Sequence, residues 1–230
     1  MTNLKDFNVA NLEKLLNKFN LDLKEVKDIK TFVNSLTHST YGNENKGQVS
    51  YEYLEFLGDA ILQFKVTEYM FKKYSRLSEG KATTLRSQAV RTENLAKISQ
   101  DLALFSLLRV SKGATTLSES AKVQADLFES FIAAIYLEFG LESVEQILKT
   151  TVYPKVDENV STENKDSKSL FQEYMQSAER TIHYETVMQE NGGFSAKVYC
   201  NNKVFGKGIG KNKKEAEEDA AKNALENLGV

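Results

Sequence analysis

Apolar residues recur at helical spacing through the first two thirds of the chain. Leu12, Leu15, Leu16 and Phe19 share one face of a helix over 9–19. Similar patterns predict helices over 31–40, 49–74, 78–88, 92–102, 119–139 and 141–150. The second half of 119–139 is apolar almost all round, which predicts a central, buried helix. No alternating strand pattern precedes residue 180. Residues 1–154 are therefore expected to form an all-α domain.

Pro154 is the single proline, and the stretch 155–167 after it is polar and free of aromatics. This composition predicts a linker. Residues 168–230 then change pattern. A helix over 169–179 precedes β-rich runs at 182–189, 194–199 and 204–209, and an alanine-rich helix closes the chain over 212–228. Asn201-Asn202 suits a tight hairpin turn, because Asn tolerates positive φ. Asn212 is a natural N-cap for the last helix. The order α-β-β-β-α describes a small α+β domain.

Composition excludes more than it proposes. With 230 residues, 41% hydrophobic and 27% charged, the chain reads as an ordinary folded protein. No apolar run reaches membrane-spanning length. Lys5 is offset by Asp6 and no apolar run follows, so the opening residues do not resemble a secretory signal. A single cysteine, Cys200, excludes an internal disulfide and a cysteine-rich zinc site, and His38 and His183 leave little for imidazole ligation. A cytoplasmic protein is expected. The net charge is −2, and residues 168–230 carry nine basic and nine acidic side chains. Bulk charge therefore gives no warrant for a nucleic-acid partner, and any such case must rest on local clustering.

Local clustering is where chemistry enters. In the segment 51–60, Glu52, Glu55 and Asp59 stand at i, i+3 and i+7, on one face of the predicted helix. No Lys or Arg interleaves them, so each like-charge pair costs a few tenths of a kcal/mol, roughly, even when exposed. Asp126 and Glu129 form a second pair inside a nearly apolar stretch, where acids are seldom buried without partners. Side-by-side packing of the two helices would bring five carboxylates together, an oxygen-ligand site for a hard cation such as Mg²⁺. Solvated helix faces are the plain alternative. A di-iron bundle needs a His three residues after a Glu, and Gly58 and Ile132 occupy those positions. Hard cations held by carboxylates suit phosphoryl chemistry, with a phosphodiester as the natural substrate. No phosphate-binding Gly-x-x-x-x-Gly-Lys loop is present.

In the tail, Lys203, Lys207, Lys211, Lys213 and Lys214 fall within twelve residues with no acid among them. They lead into the last helix, whose N-terminal N–H groups and neighbouring lysines would grip phosphates. A solvated helix cap is the alternative reading.

Glu52-Tyr53-Leu54-Glu55-Phe56-Leu57-Gly58-Asp59 resembles the signature of bacterial ribonuclease III, with supporting matches at Leu36-Thr37-His38-Ser39, Ser78-Glu79-Gly80 and Ala125-Asp126-Leu127-Phe128-Glu129. Residues 169–174 and 208–217 resemble the first and last helices of a double-stranded-RNA-binding domain. The resemblance implies an all-α endonuclease domain followed by a small α+β RNA-binding domain. It implies an endonuclease that cuts double-stranded RNA to 5′-phosphate and 3′-hydroxyl ends, acting on ribosomal-RNA precursors and other structured transcripts. It further implies Mg²⁺, with Mn²⁺ as a substitute, held by Glu55, Asp126 and Glu129. Asp59 and Glu129 match catalytic acids, and Glu52 and Glu79 match outer supporting acids. Hydrolysis by water, with no covalent enzyme intermediate, follows from the same match.

The resemblance also implies a homodimer in which Phe56 inserts into the partner. Ser169, Gln172 and Gln176 match minor-groove contacts, and Lys211, Lys213 and Lys214 match the phosphate grip. Such domains read A-form shape over about 16 base pairs. His38, His183 and Cys200 are expected to serve packing. Two departures stand out. Tyr51-Glu52-Tyr53 replaces the family's Asn-Glu-Arg, and Asn191-Gly192-Gly193 replaces its Gly-Pro-x-His loop. The rival readings are a non-catalytic double-stranded-RNA-binding or ribosome-associated protein of the same fold, and a helical interaction module without an RNA role.

Overall fold

A computed structural model of the chain describes residues 7–75, 77–178, 180–190 and 192–229. The opening residues, including the Lys5/Asp6 pair, lie outside this set, as do Glu179 at the predicted end of a helix and Asn191 in the departing loop. The chain divides into two compact units, Met1–Asp157 and Glu158–Val230.

In the first unit the helices are α1 (Val9–Asn17), α2 (Ile29–Ser35), α3 (Ser39–Glu44), α4 (Glu52–Lys73), α5 (Glu79–Ala89), α6 (Thr92–Asp101), α7 (Ala121–Phe139) and α8 (Leu141–Thr150). Polar residues set their starts: Asn8, Asp28, Ser78 and Ser120 each accept an N–H from the first turn that follows. The apolar half of α7 is central as its pattern predicts, with Leu127, Phe128, Phe131, Ile132, Ala133, Ala134 and Ile135 all buried. Beside them Glu138 is buried too. It accepts from Lys27 N at 2.7 Å, Asp28 N at 3.0 Å and Thr31 Oγ1 at 2.6 Å, and so satisfies the start of α2.

The expected single helix over 31–40 is two helices. Between them Thr37 leaves helical geometry to bridge Arg109 in parallel fashion, and His38 turns to cap α3 by accepting Thr40 N. A second correction concerns 155–167. This stretch is helical, inside α9 (Tyr153–Ser177). Pro154 lies in the first turn, where its missing N–H costs nothing, and no Gly or Pro follows to stop the helix. Val156 and Val160, four apart, are buried. The start of α9 is tied down within the first unit. Tyr69 stacks on Tyr153 at 3.9 Å between ring centroids. The Asp157 carboxylate accepts from Tyr69 Oη at 2.7 Å, Tyr74 Oη at 2.6 Å and Lys73 Nζ at 2.7 Å.

The second unit carries the rest of α9, the antiparallel sheet β1 (Ile182–Met188), β2 (Phe194–Cys200), β3 (Lys203–Gly210) in sequence order, and α10 (Lys213–Leu228). Asn201 and Asn202 have φ of 48° and 61°, as the hairpin requires. Phe171, Met175, Val198, Cys200 and the alanines of α10 form its core. Small residues dominate because α10 lies almost on the sheet backbone. An ideal Cβ on Gly208 would stand 2.2 Å from Ala220 N. The alternating glycines of β3 thus serve helix packing rather than a phosphate loop.

Candidate active site and nucleic-acid interface

The acidic site is built where α4 and α7 cross. Gly58 permits the crossing: an ideal Cβ there would lie 1.8 Å from the Glu129 carbonyl oxygen. Only a residue without a side chain lets the two backbones meet at this level, one residue before Asp59 and three after Glu55. A strap of residues 35–38, buried at Ser35, Leu36 and Thr37, fixes the same two helices. Ser130 Oγ, next to Glu129, donates to Ser35 O at 2.7 Å. Tyr51 N, at the start of α4, donates to Thr37 O at 2.9 Å. Arg109 pins the strap by donating from its backbone N to Leu36 O at 2.8 Å and from Nε to Thr37 Oγ1 at 3.0 Å. Its Nη2 reaches Gln48 Oε1 at 2.9 Å.

The result brings Glu55, Asp126 and Glu129 together, with one carboxylate oxygen of each within 4.8 Å of the others. Asp126 is buried, Glu55 and Glu129 half-buried, and Asp59 and Glu52 exposed. Burial, then the charges of Asp59, Asp126 and Glu55, pushes Glu129 up to about 8. Burial and Asp126 also raise Glu55. Burial raises the Tyr51 phenol behind the cluster, helped by Asp126, Glu55 and Glu52. Lys122 offers some compensation, with Nζ at 2.9 Å from Asp126 Oδ2 and 3.8 Å from Glu55 Oε1. Asp59 accepts from Gln63 Nε2 at 3.3 Å, and Glu52 accepts from Ser50 Oγ at 2.9 Å. Such shifts are the mark of a site that awaits a cation or a proton.

Glu79 is placed elsewhere. It starts α5 and lines a cleft of about 550 Å³ with Thr67, Met70, Phe71, Tyr74 and Arg86, alongside the C-terminal half of α4. The helical rise puts that region roughly 15 Å along α4 from Asp59. Within one chain Glu79 therefore does not join the acidic cluster. Phe56 is 71% exposed, and so are Tyr53 at 81%, Phe64 at 55% and Phe71 at 82%. These aromatics share one face of α4, beside the face bearing the acids. The sequence reading named Phe56 alone. The signal for the others was a second apolar period on α4, offset from its core face.

In the second unit Ser169, Gln172 and Gln176 are exposed at i, i+3 and i+7 on α9, and Lys211, Lys213 and Lys214 are exposed around the start of α10. Two of the N–H groups there are already satisfied by the chain. Asn212 Oδ1 accepts Glu215 N at 2.9 Å, and Glu215 Oε2 accepts Lys211 N at 2.9 Å. The lysine side chains beside them are exposed. Glu217, which sequence reasoning passed over, ties these elements together. Although largely buried, it is held below the usual carboxylate range by Lys168 Nζ at 2.5 Å on α9 and Thr186 Oγ1 at 3.0 Å on β1. His183 stacks on Tyr199, and Cys200 is buried in the core.

Known proteins resemble this chain. Residues 28–156 match the family model described as ribonuclease-III-like, and residues 167–228 match the double-stranded RNA binding motif. Ribonuclease 3 of Mycoplasma mobile is 43% identical over 222 residues, 94% of this chain and 90% of that protein. Ribonuclease 3 of Bacillus cereus is 41% identical over 211 residues, 87% of this chain and 86% of that protein. The solved nuclease domain of ribonuclease III from Campylobacter jejuni superposes with a TM-score of 0.56 at 31% identity, covering 63% of this chain and 97% of that one. No helix among the described residues is long and apolar enough to cross a membrane. The chain belongs to the ribonuclease III family, and is an endoribonuclease of double-stranded RNA whose helical nuclease domain precedes a double-stranded-RNA-binding domain.

Proposed function

We propose that the chain cleaves duplex RNA in the cytoplasm with a divalent ion, Mg²⁺ or Mn²⁺, held by Glu55, Asp126 and Glu129, and that structured precursors such as those of ribosomal RNA are its substrates. The observation that carries this reading is the convergence of three carboxylate oxygens within 4.8 Å on helices that Gly58 holds together. The donors are all oxygen, which fits a hard cation and disfavours zinc or copper. When bound, such an ion supplies charge neutralisation at the phosphate and an acidified water at neutral pH. The chain's own part is electrostatic. Glu129, pushed up to about 8 by burial and the neighbouring acids, is the carboxylate that would give up a proton on taking a ligand role. Asp59, on the exposed side of α4, is suited to orient the attacking water toward the phosphorus. Glu52 lies at the outer edge of the same face.

Ser169, Gln172 and Gln176 are assigned to the minor groove, and Lys211, Lys213 and Lys214 to the phosphates across the intervening major groove. The aromatic face of α4 supports a homodimer. In an antiparallel pairing along α4, Phe56 of each copy would meet the cleft between α4 and α5 of the other. That pairing also gives Glu79 a role its own chain denies it, because Glu79 lines the cleft and would stand beside the opposite acidic cluster. Long duplex RNA incubated with Mg²⁺ tests the reading. Cutting should stop with chelator and with Glu129→Ala, which should still bind the duplex. Cutting by that variant at the wild-type rate would refute the site. Phe56→Ala should sediment as a monomer, and an intact dimer would refute the pairing.

A further inference from the structure

We propose that Lys122 is a tethered counter-ion of the acidic cluster, and that a divalent ion must displace its ammonium group to bind. This rests on the metal site proposed above. Lys122 Nζ lies 3.1 Å from Asp126 Oδ1 and 2.9 Å from Asp126 Oδ2, and 3.8 Å from Glu55 Oε1. It thus engages two of the three carboxylates that would hold the ion. Its stem is 73% exposed, so it reaches the cluster from the solvent side and is free to swing away. Its position in the fold is otherwise unfavourable. Ser120 caps α7, so Lys122 occupies the first turn, where the helix macrodipole disfavours a cation. A lysine at that point makes electrostatic sense only through the acids it faces.

Two effects follow, and both act in one direction. An incoming ion must break the contacts of Lys122 with Asp126 and Glu55, and it then feels repulsion from the ammonium nearby. Both weaken binding of the ion to this chain. In return, the cluster holds together when no ion is present, because one positive charge stands beside three converging acids. The contact with Asp126 is an ion pair open to solvent, of a kind that contributes about 0.2–1 kcal/mol. That range corresponds to a change in affinity of about 1.4- to 5-fold.

The test is an Mn²⁺ titration of the full chain without RNA, with free Mn²⁺ read from its electron paramagnetic resonance signal. Lys122→Gln should bind Mn²⁺ about 1.4- to fivefold more tightly than wild type, and Lys122→Arg should not. The rise in melting temperature on adding Mn²⁺ should also be larger for Lys122→Gln. Equal or weaker Mn²⁺ binding by Lys122→Gln, with normal binding by wild type, overturns the lysine's role and leaves the metal site standing. Absence of any wild-type binding that Glu129→Gln removes overturns both.

Discussion

Replacing Gly58 by Ala tests whether helix contact, rather than the acids alone, makes the site. An ideal Cβ at this position would lie 1.8 Å from Glu129 O, 2.4 Å from its carbonyl carbon and 3.1 Å from its Cα. All three atoms are backbone, so no rotamer change relieves the clash. An ordinary C···O approach of about 3.3 Å requires α4 and α7 to part by roughly 1.5 Å. Overpacking of this kind costs about 1–3 kcal/mol, and the better helix propensity of Ala returns up to about 1 kcal/mol. A net loss near 1 kcal/mol should lower the melting temperature of a chain this size by about 2–4 °C. The effect on cutting should be larger, because a misplacement of about 1 Å commonly costs 10²-fold in rate. Thermal melting by circular dichroism and initial rates on a long duplex read the two quantities. A variant that melts at or above the wild-type temperature and cuts at the wild-type rate would refute the account of the crossing.

The remaining expectations concern protons, salt and the second unit. Glu129 has a folded pKa of about 8 against an ordinary 4.5, so the folded state binds its proton more tightly than the unfolded state does. Its destabilisation is absent below the unfolded value, grows as pH rises and is complete above about 8. Glu129→Gln should therefore gain melting temperature over wild type progressively between pH 5 and 8, measured with chelator. A gain that does not vary with pH would show that Glu129 is not perturbed. Lys213→Ala with Lys214→Ala should weaken duplex binding and reduce the slope of log affinity against log salt by up to about 2. An unchanged slope would remove both from the phosphate grip. Gly208→Val should abolish duplex binding while the helical unit keeps its circular dichroism signal, since a Cβ there would meet Ala220 N at 2.2 Å and Ala216 O at 2.5 Å. Retained binding would refute the packing of α10 on β3.

The helices, the strand order and the central acids were legible because each follows from local periodicity. The α7 core, the Asn201-Asn202 hairpin and the Asn212 cap are local rules obeyed by the structure. What was not legible arises between distant segments. Nothing around Thr37 marks a break in helix, since the break is set by its bridge to Arg109, 72 residues away. The polar stretch 155–167 looked like a linker because solubility and lack of aromatics resemble coil, yet it contains no residue that forbids helix. Glu79 was named only through the resemblance, as an outer supporting acid, whereas the fold sends it to a cleft beside the far half of α4.

Lys122 shows the same limit at the site itself. A lysine four residues before an aspartate is the commonest kind of exposed helical ion pair, and pattern alone gives it a few tenths of a kcal/mol, roughly, and no function. Packing of α4 on α7 changes its surroundings. It adds Glu55 at 3.8 Å, whose charge joins that of Glu129 on α7 itself in raising the Lys122 ammonium further above its usual range, after the hydrogen bond to Asp126 and against burial. The unshared property is competition. Glu55, Asp126 and Glu129 are the proposed ligands, but their affinity for an ion depends on what already neutralises them. In this chain that is an ammonium carried on the same helix as two of the three acids, so ion demand is set in part by a residue that is not itself a ligand.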